Sequence, residues 1–212
     1  MHPTLQSIFE AILEGDADQV QTNIQAALQA GIEPNLVLNE GMIAAMREVG
    51  ARFEAGDFYV PEMLISARAM QGGMALLKPH LQQDDVKSSG KVVIGTVKGD
   101  LHDIGKNLVA LMLEGAGFEI KDLGTDVAAE DFIAALKAEK ADIMALSALL
   151  TTTMPSMKQT IEMVKAAGLR DQVKIIVGGA PVTEEYARLV GADGYSPDAS
   201  RAVGLAESLM KV

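Results

Sequence analysis

The sequence contains no cysteine and no tryptophan, and only three tyrosines, five phenylalanines and three histidines among its 212 residues. Without cysteine there are no disulfides, no thiolate metal sites and no cysteine nucleophile, so metal chemistry has to use histidine or carboxylates. Few aromatics and no tryptophan argue against base stacking and sugar binding. Basic residues are outnumbered: 18 Lys and Arg face 29 Asp and Glu, a formal net charge of −11. That balance repels a phosphate backbone and no Lys/Arg cluster offsets it, so no nucleic-acid partner is expected. The apolar stretches are too short or interrupted to span a bilayer, and residues 1–15 hold neither a basic residue nor a signal-like apolar core. No membrane association is expected, and a cytoplasmic location is the default.

What is there, 49% hydrophobic with 22% charged residues, suits a globular chain long enough for a sizeable core, with two domains as the simplest division. The 12 methionines, several of them in the first 75 residues, read as flexible filler for irregular core gaps.

The first part reads as helices only. Leu5, Ile8, Phe9, Ile12 and Leu13 follow helical spacing until Gly15-Asp16, and a second helix covers roughly Asp18 to Ala30 before Gly31. Pro34 suits the first turn of a third helix with Leu38, Met42, Ala45, Met46 and Val49 inward. A fourth follows Pro61 with Leu64, Ala67, Met70, Met74 and Leu77 on one face. Short connections between them imply a four-helix bundle. The polar stretch "QQDDVKSSGK", residues 82–91, lacks periodicity and reads as a linker.

Beyond it, Val- and Ile-rich runs alternate with helical stretches: "KVVIGTV", "FEIKDLG", "ADIMALSAL", "VKIIVGG" and "GADGYS". Five β-α units with right-handed crossovers give a doubly wound, flavodoxin-like (Rossmann-type) parallel sheet. The expected fold class is therefore α/β, an N-terminal four-helix bundle over 1–84, a linker over 85–91 and a five-stranded sheet domain over 92–212.

In such a fold ligands bind beyond the carboxyl ends of the strands, beside the loop after the first strand. That loop is Asp100-Leu-His102-Asp103-Ile-Gly105, with no G-x-G-x-x-G or P-loop pattern. Asp100, two residues before His102, is placed to accept a hydrogen bond from one imidazole nitrogen and leave the other for a metal. Asp103 reads instead as a helix cap. One imidazole holds a free ion poorly, and His2 and His80 lie in the helical part, so the metal should arrive chelated by an organic cofactor.

The pattern Asp100-x-His102-x-x-Gly105, then 41 residues to Ser147-x-Leu149 and 28 more to Gly178-Gly179, resembles the cobalamin-binding signature of corrinoid proteins. The preceding "GARFEAGDFYVPEMLISARAM" is similar to the helical cap before this module in cobalamin-dependent methionine synthase, and the two-part layout to the small corrinoid subunits of methyltransferase systems. The resemblance implies a cobalamin or related corrinoid, with cobalt passing between cob(I)alamin and methylcob(III)alamin. It implies His102 as the lower axial ligand in a base-off, His-on form, with Asp100, His102 and Ser147 as the ligand relay. Ser147 would contact the buried base or join the proton network, with Thr151 close enough to assist, and Gly178 and Gly179 would let the backbone approach the nucleotide tail. Weaker cofactor contacts are Gly99, Asp103, Ile104, Leu149, Ala180, Tyr195 and Asp198. In the cap, Glu40, Phe53, Val60 and Met63 match the cover over the upper corrin face, although each also fits simple bundle core.

The function implied is a methyl carrier that does not turn over alone. Its implied partners are a substrate-specific methyltransferase, a second methyltransferase with a folate or thiol acceptor, and a reductive activase. The alternatives are a cobalamin-dependent sensor or regulator, for which no basic helix-turn-helix is present, and the cobalamin subunit of an adenosylcobalamin mutase, which would lack the "VPEML" cap.

Overall fold

Helix boundaries in the first part follow from local chemistry. In the computed structural model, which describes residues 2–81 and 88–211, α1 (Pro3–Glu14) opens on a proline and stops where Gly15 turns left-handed at φ 72°. Asp16 then caps α2 (Ala17–Gln29), its Oδ1 accepting the Gln19 N–H at 2.9 Å. The third helical stretch is continuous but not uniform: α3 (Pro34–Leu36) passes through a π-helical segment, Val37–Ile43, into α4 (Ala44–Ala55). α5 (Val60–Leu77) starts at Tyr59, whose N–H donates to Glu62 at 3.0 Å.

The expected inward residues of the third helix, Leu38, Met42, Ala45, Met46 and Val49, are all buried. In α5 the buried stripe runs through Met63, Ser66, Ala67, Met70, Gly73 and Leu77, whereas Leu64, expected inside, is 38% exposed. Ala67, Met70 and Leu77 lie inside as the spacing predicts, Met74 is half-buried, and Met63 takes the inward place at the start of the stripe in place of Leu64. Met42, Met46, Met63 and Met70 are core residues, as filler methionines should be.

The chain divides into two compact units, Met1–Lys87 and Ser88–Val212. Of the expected linker, residues 85–87 lie outside the described residues, and Lys91 at its far end already belongs to β1.

The second unit alternates strand and helix throughout. Its elements are β1 (Lys91–Thr96), α6 (Ile104–Gly115), β2 (Glu119–Asp122), α7 (Ala129–Glu139), β3 (Ile143–Ser147) and α8 (Met154–Ala166), then β4 (Lys174–Gly178), α9 (Glu184–Val190), β5 (Gly194–Ser196) and α10 (Ala199–Met210). All strands are parallel, in the order β2-β1-β3-β4-β5, so the chain reverses direction across the sheet between β1 and β3. Side chains alternate between two cores. Val92, Ile94, Ile143, Ala145 and Ile176 pack with residues of α6 and α10, while Val93, Met144, Leu146, Ile175 and Val177 pack with α7, α8 and α9.

Carboxylates secure the strand starts: Asp142 accepts the Lys91 N–H at 2.8 Å and Asp193 the Ile175 N–H at 2.6 Å. At the other edge the register sets Thr96 beside Ser147, Ser147 beside Gly178, and Gly178 beside Ser196. Motif elements far apart in sequence thus end in one row, because parallel strands of similar length finish together.

Gly95 in β1 faces the ring of fully buried Phe132, and a Cβ there would lie 2.7 Å from Phe132 Cζ. Gly95→Ala should destabilise the α/β unit by about 1–3 kcal/mol through overpacking, read as a lower urea midpoint by circular dichroism. An unchanged midpoint would mean the ring moves aside without cost.

Candidate functional site

The loop after β1 opens with a turn. The Asp100 N–H donates to Val97 O at 3.1 Å, and Gly99 occupies the third position at φ 86°, a conformation that favours glycine. This turn carries the Asp100 side chain inward until it is fully buried. His102 follows at the surface with its side chain half exposed, and its carbonyl accepts the Thr96 hydroxyl at 2.9 Å.

The Asp100 carboxylate receives five hydrogen bonds. Oδ1 accepts from the His102 backbone N–H at 3.1 Å and pairs with His102 Nδ1 at 2.7 Å. Oδ2 accepts from the Leu149 and Leu150 N–H groups at 2.8 and 3.2 Å and from the Thr153 hydroxyl at 2.6 Å. Burial alone would raise the carboxyl pKa, but the bonds from Thr153, His102 and Leu149 outweigh it and hold the group well below the usual carboxylate range. An ionised Asp100 requires the proton on Nδ1, and in the neutral imidazole that leaves Nε2 of His102 with a lone pair.

Thr153, which is buried, was not anticipated from the sequence. It is Thr153, rather than Ser147 or Thr151, whose hydroxyl donates to Asp100. Ser147 is the half-buried last residue of β3 and is not among the donors to Asp100, while Thr151 is exposed. The available signal was position: Thr153 ends the run Thr151-Thr152-Thr153 immediately before Met154-Pro155 opens α8, where a hydroxyl residue at the cap can turn back toward the sheet. Tyr186 fixes that helix start by donating its hydroxyl to Met154 O at 2.6 Å, and burial raises its pKa.

Asp103 stands at the N-cap of α6 as expected, yet its side chain makes no capping bond and accepts from Asn107 Nδ2 at 3.1 Å. Asn107 in turn accepts from Lys106, whose buried ammonium also pairs with Asp122. Gly179 is required by the protein's own backbone, and Gly178 is tightly placed. A Cβ on Gly179, at φ 127°, would lie 1.9 Å from Ala148 O, and one on Gly178 would press on Ser196 O at 3.2 Å.

The remaining candidates separate. Ala180 is exposed beside the glycines. Tyr195 packs against the core shared with α7, α8 and α9. Asp198 caps α10, accepting the Arg201 N–H at 2.8 Å. In the helical unit Met63 is fully buried, Phe53 is half-buried, Val60 is 38% exposed, and Glu40 is exposed within the π-helical segment.

Around His102 lie side chains that a folded chain would ordinarily cover: Leu101 is 73% exposed, Ile104 81%, and Leu149 and Leu150 42% each. A Cβ on Gly105, at the start of α6, would meet nothing within 4 Å. Apolar groups left open around one oriented imidazole are suited to a broad, largely apolar ligand that carries its own metal.

Two B12 binding domain families match the sequence, one over residues 90–204 and one over residues 4–78. A dimethylamine corrinoid protein of Methanosarcina barkeri is 42% identical over 97% of both chains, and trimethylamine corrinoid protein 1 of Methanosarcina acetivorans 44% identical over 95% of this chain and 94% of its own. This chain belongs to the corrinoid proteins. Among solved structures, the methanol:cobalamin methyltransferase complex of Methanosarcina barkeri contains a chain 31% identical to this corrinoid protein, with a TM-score of 0.90, covering 99% of this chain and 80% of that one. A cobalamin-binding protein of Desulfitobacterium hafniense superposes with a TM-score of 0.80 at 32% identity, covering 97% of this chain and 98% of that one. The residues present fit a corrinoid: an imidazole with a defined free nitrogen, an open apolar surround, and space at Gly105.

Because Asp100 has a depressed folded pKa, its contribution to stability is present above about pH 4 and is lost as pH falls below the ordinary carboxylate range. Asp100→Asn should therefore be less stable than wild type near pH 7, with the gap narrowing as pH falls below about 4. Thermal melts at stepped pH check this, and a gap independent of pH would contradict it.

Proposed function

We propose that this corrinoid protein is a methyl carrier in which His102 supplies the lower axial nitrogen to the cobalt of a base-off cobalamin. The observation that carries the reading is the 2.7 Å contact between His102 Nδ1 and a buried, five-fold hydrogen-bonded Asp100. Among the described residues no cluster of three or more His, Asp or Glu side chains could hold a bare ion, so the metal at His102 would arrive in its own chelate.

When bound, the corrinoid supplies the cobalt chemistry of methyl transfer; the protein supplies orientation, exclusion of water and access. Asp100 keeps the imidazole in one tautomer and raises its strength as a donor. Leu149, Leu150 and Thr153 keep Asp100 charged by offering it hydrogen bonds instead of water. Leu101 and Ile104 supply apolar contact beside the ligand. Ser147 and Gly178, in one row at the carboxyl edge, would adjoin the nucleotide tail.

Partners follow from the same reading. The named methylamine relatives and the methanol complex support a donor-specific methyltransferase partner. A second methyltransferase passing the group to a folate or thiol, and a reductive activase that restores the reduced cofactor, complete the cycle. Matches to methylamine corrinoid proteins over nearly the whole chain favour a carrier over a sensor or a mutase subunit.

Titration of the apo protein with cobalamin should end at about one corrinoid per chain, with a base-off spectrum. His102→Ala should weaken binding by more than the roughly 10- to 100-fold typical of a residue behind the ligand. Equal affinity in the variant would remove His102 from the cobalt. The carrier role requires labelled methyl to appear on the chain with a donor methyltransferase and leave it with an acceptor methyltransferase; label that stays on the chain would argue for another role.

A further inference from the structure

Residues 123–128, between β2 and α7, carry no motif, yet they grip the turn that delivers His102. Asp126 is central to them. It has φ 55°, and among the described residues only Lys140, the left-handed cap of α7, shares a positive φ without being glycine. A left-handed backbone is disfavoured for a side chain, although Asp tolerates it better than most.

The contacts of Asp126 offset that cost. Its N–H donates to Asp100 O at 2.9 Å, its Oδ1 accepts the Gly99 N–H at 2.8 Å, and its Oδ2 pairs with Lys98 Nζ at 3.0 Å. One residue therefore holds three consecutive ones, Lys98, Gly99 and Asp100. The next residue, Val127, bridges Val97 and donates its N–H to Thr96 O at 3.0 Å, and Thr96 in turn holds the His102 carbonyl. The Lys98 pair is exposed on both sides, 62% and 43%, and solvent screens it. The Gly99 bond is a charge-assisted backbone bond at a glycine that is itself left-handed.

We propose that Asp126 is a positioning residue for His102. By fixing Gly99 and the Asp100 backbone, it sets the direction from which the Asp100 carboxylate meets the imidazole. The proposal rests on the reading of His102 as the cobalt ligand.

The test uses the full chain as wild type, Asp126→Gly and Asp126→Asn. Glycine keeps the left-handed backbone and removes the acceptor, so the variant is not penalised for its φ. Asparagine keeps both the backbone and an acceptor oxygen. In the apo protein, the Gly99 amide should exchange about tenfold faster in Asp126→Gly, the scale of one lost hydrogen bond. After loading with cobalamin, the His-bound fraction is read from the visible spectrum. Asp126→Gly should bind in the His-on form about 10- to 100-fold more weakly, while Asp126→Asn stays near wild type.

Unchanged Gly99 exchange in Asp126→Gly overturns the proposal, as does faster exchange with an unchanged His-on affinity. An equal loss in Asp126→Asn also overturns it, since the effect would then belong to the charge pair with Lys98. If wild type itself shows no His-on form, the ligand reading falls and takes this proposal with it. A His-on wild type with an indifferent Asp126→Gly defeats this proposal alone.

Discussion

A charged carboxylate with no exposed surface is the constraint on which this site depends. Asp100 could not remain ionised inside the protein without dedicated donors, and supplying them ties together parts of the chain that are otherwise separate. The His102 loop contributes two bonds, and the loop from β3 to α8 contributes the other three. Each loop is fixed because Asp100 is fixed, and Asp100 stays charged because both loops are in place. The same arrangement leaves one imidazole nitrogen available at the surface, so a packing requirement and a chemical one are met by a single residue.

The sheet makes that arrangement possible. Its order places β1 beside β3, so the two loops emerge next to each other at the point where the chain reverses. Gly179 then lets the end of β4 approach the Ala148 backbone, closer than any side chain would allow. Lys106, Asn107 and Asp122 tie the first turn of α6 to the end of β2. Hydrogen bonds hold the loop at both ends in the folded unit, the preorganisation that a metal ligand at His102 would need. Exposed Leu101 and Ile104 remain as the part of the surface that a bound group would complete.

Much of this was legible in the sequence. The alternation of Val- and Ile-rich runs with helical spacing gave the doubly wound sheet, and Asp100 two residues before His102 gave their contact, because both signals are local. Thr153 was not legible, since its role depends on how the β3–α8 loop folds back, and a run of three threonines does not say which one turns inward. Asp126 was hidden for the same reason, its partners lying 26 to 28 residues earlier, across a strand crossing. Leu64 shows a different limit: in an amphipathic helix, choosing between neighbouring apolar residues as the start of the stripe requires the partner helices. The π-helical segment carries no sequence signal that spacing rules detect. At Gly178 and Gly179 the sequence pattern points to a ligand, whereas the close neighbours that the fold supplies are the chain's own β3 loop and β5.

In the function proposed for this protein, a histidine nitrogen of the chain binds cobalt. Electron paramagnetic resonance of the cobalt(II)-loaded protein, prepared with natural-abundance histidine and with nitrogen-15 histidine, measures it directly. With His102 on cobalt, the nitrogen hyperfine pattern changes from that of a spin-1 nucleus to that of a spin-½ nucleus on labelling, and the change is lost in His102→Ala. A pattern indifferent to the label would contradict it.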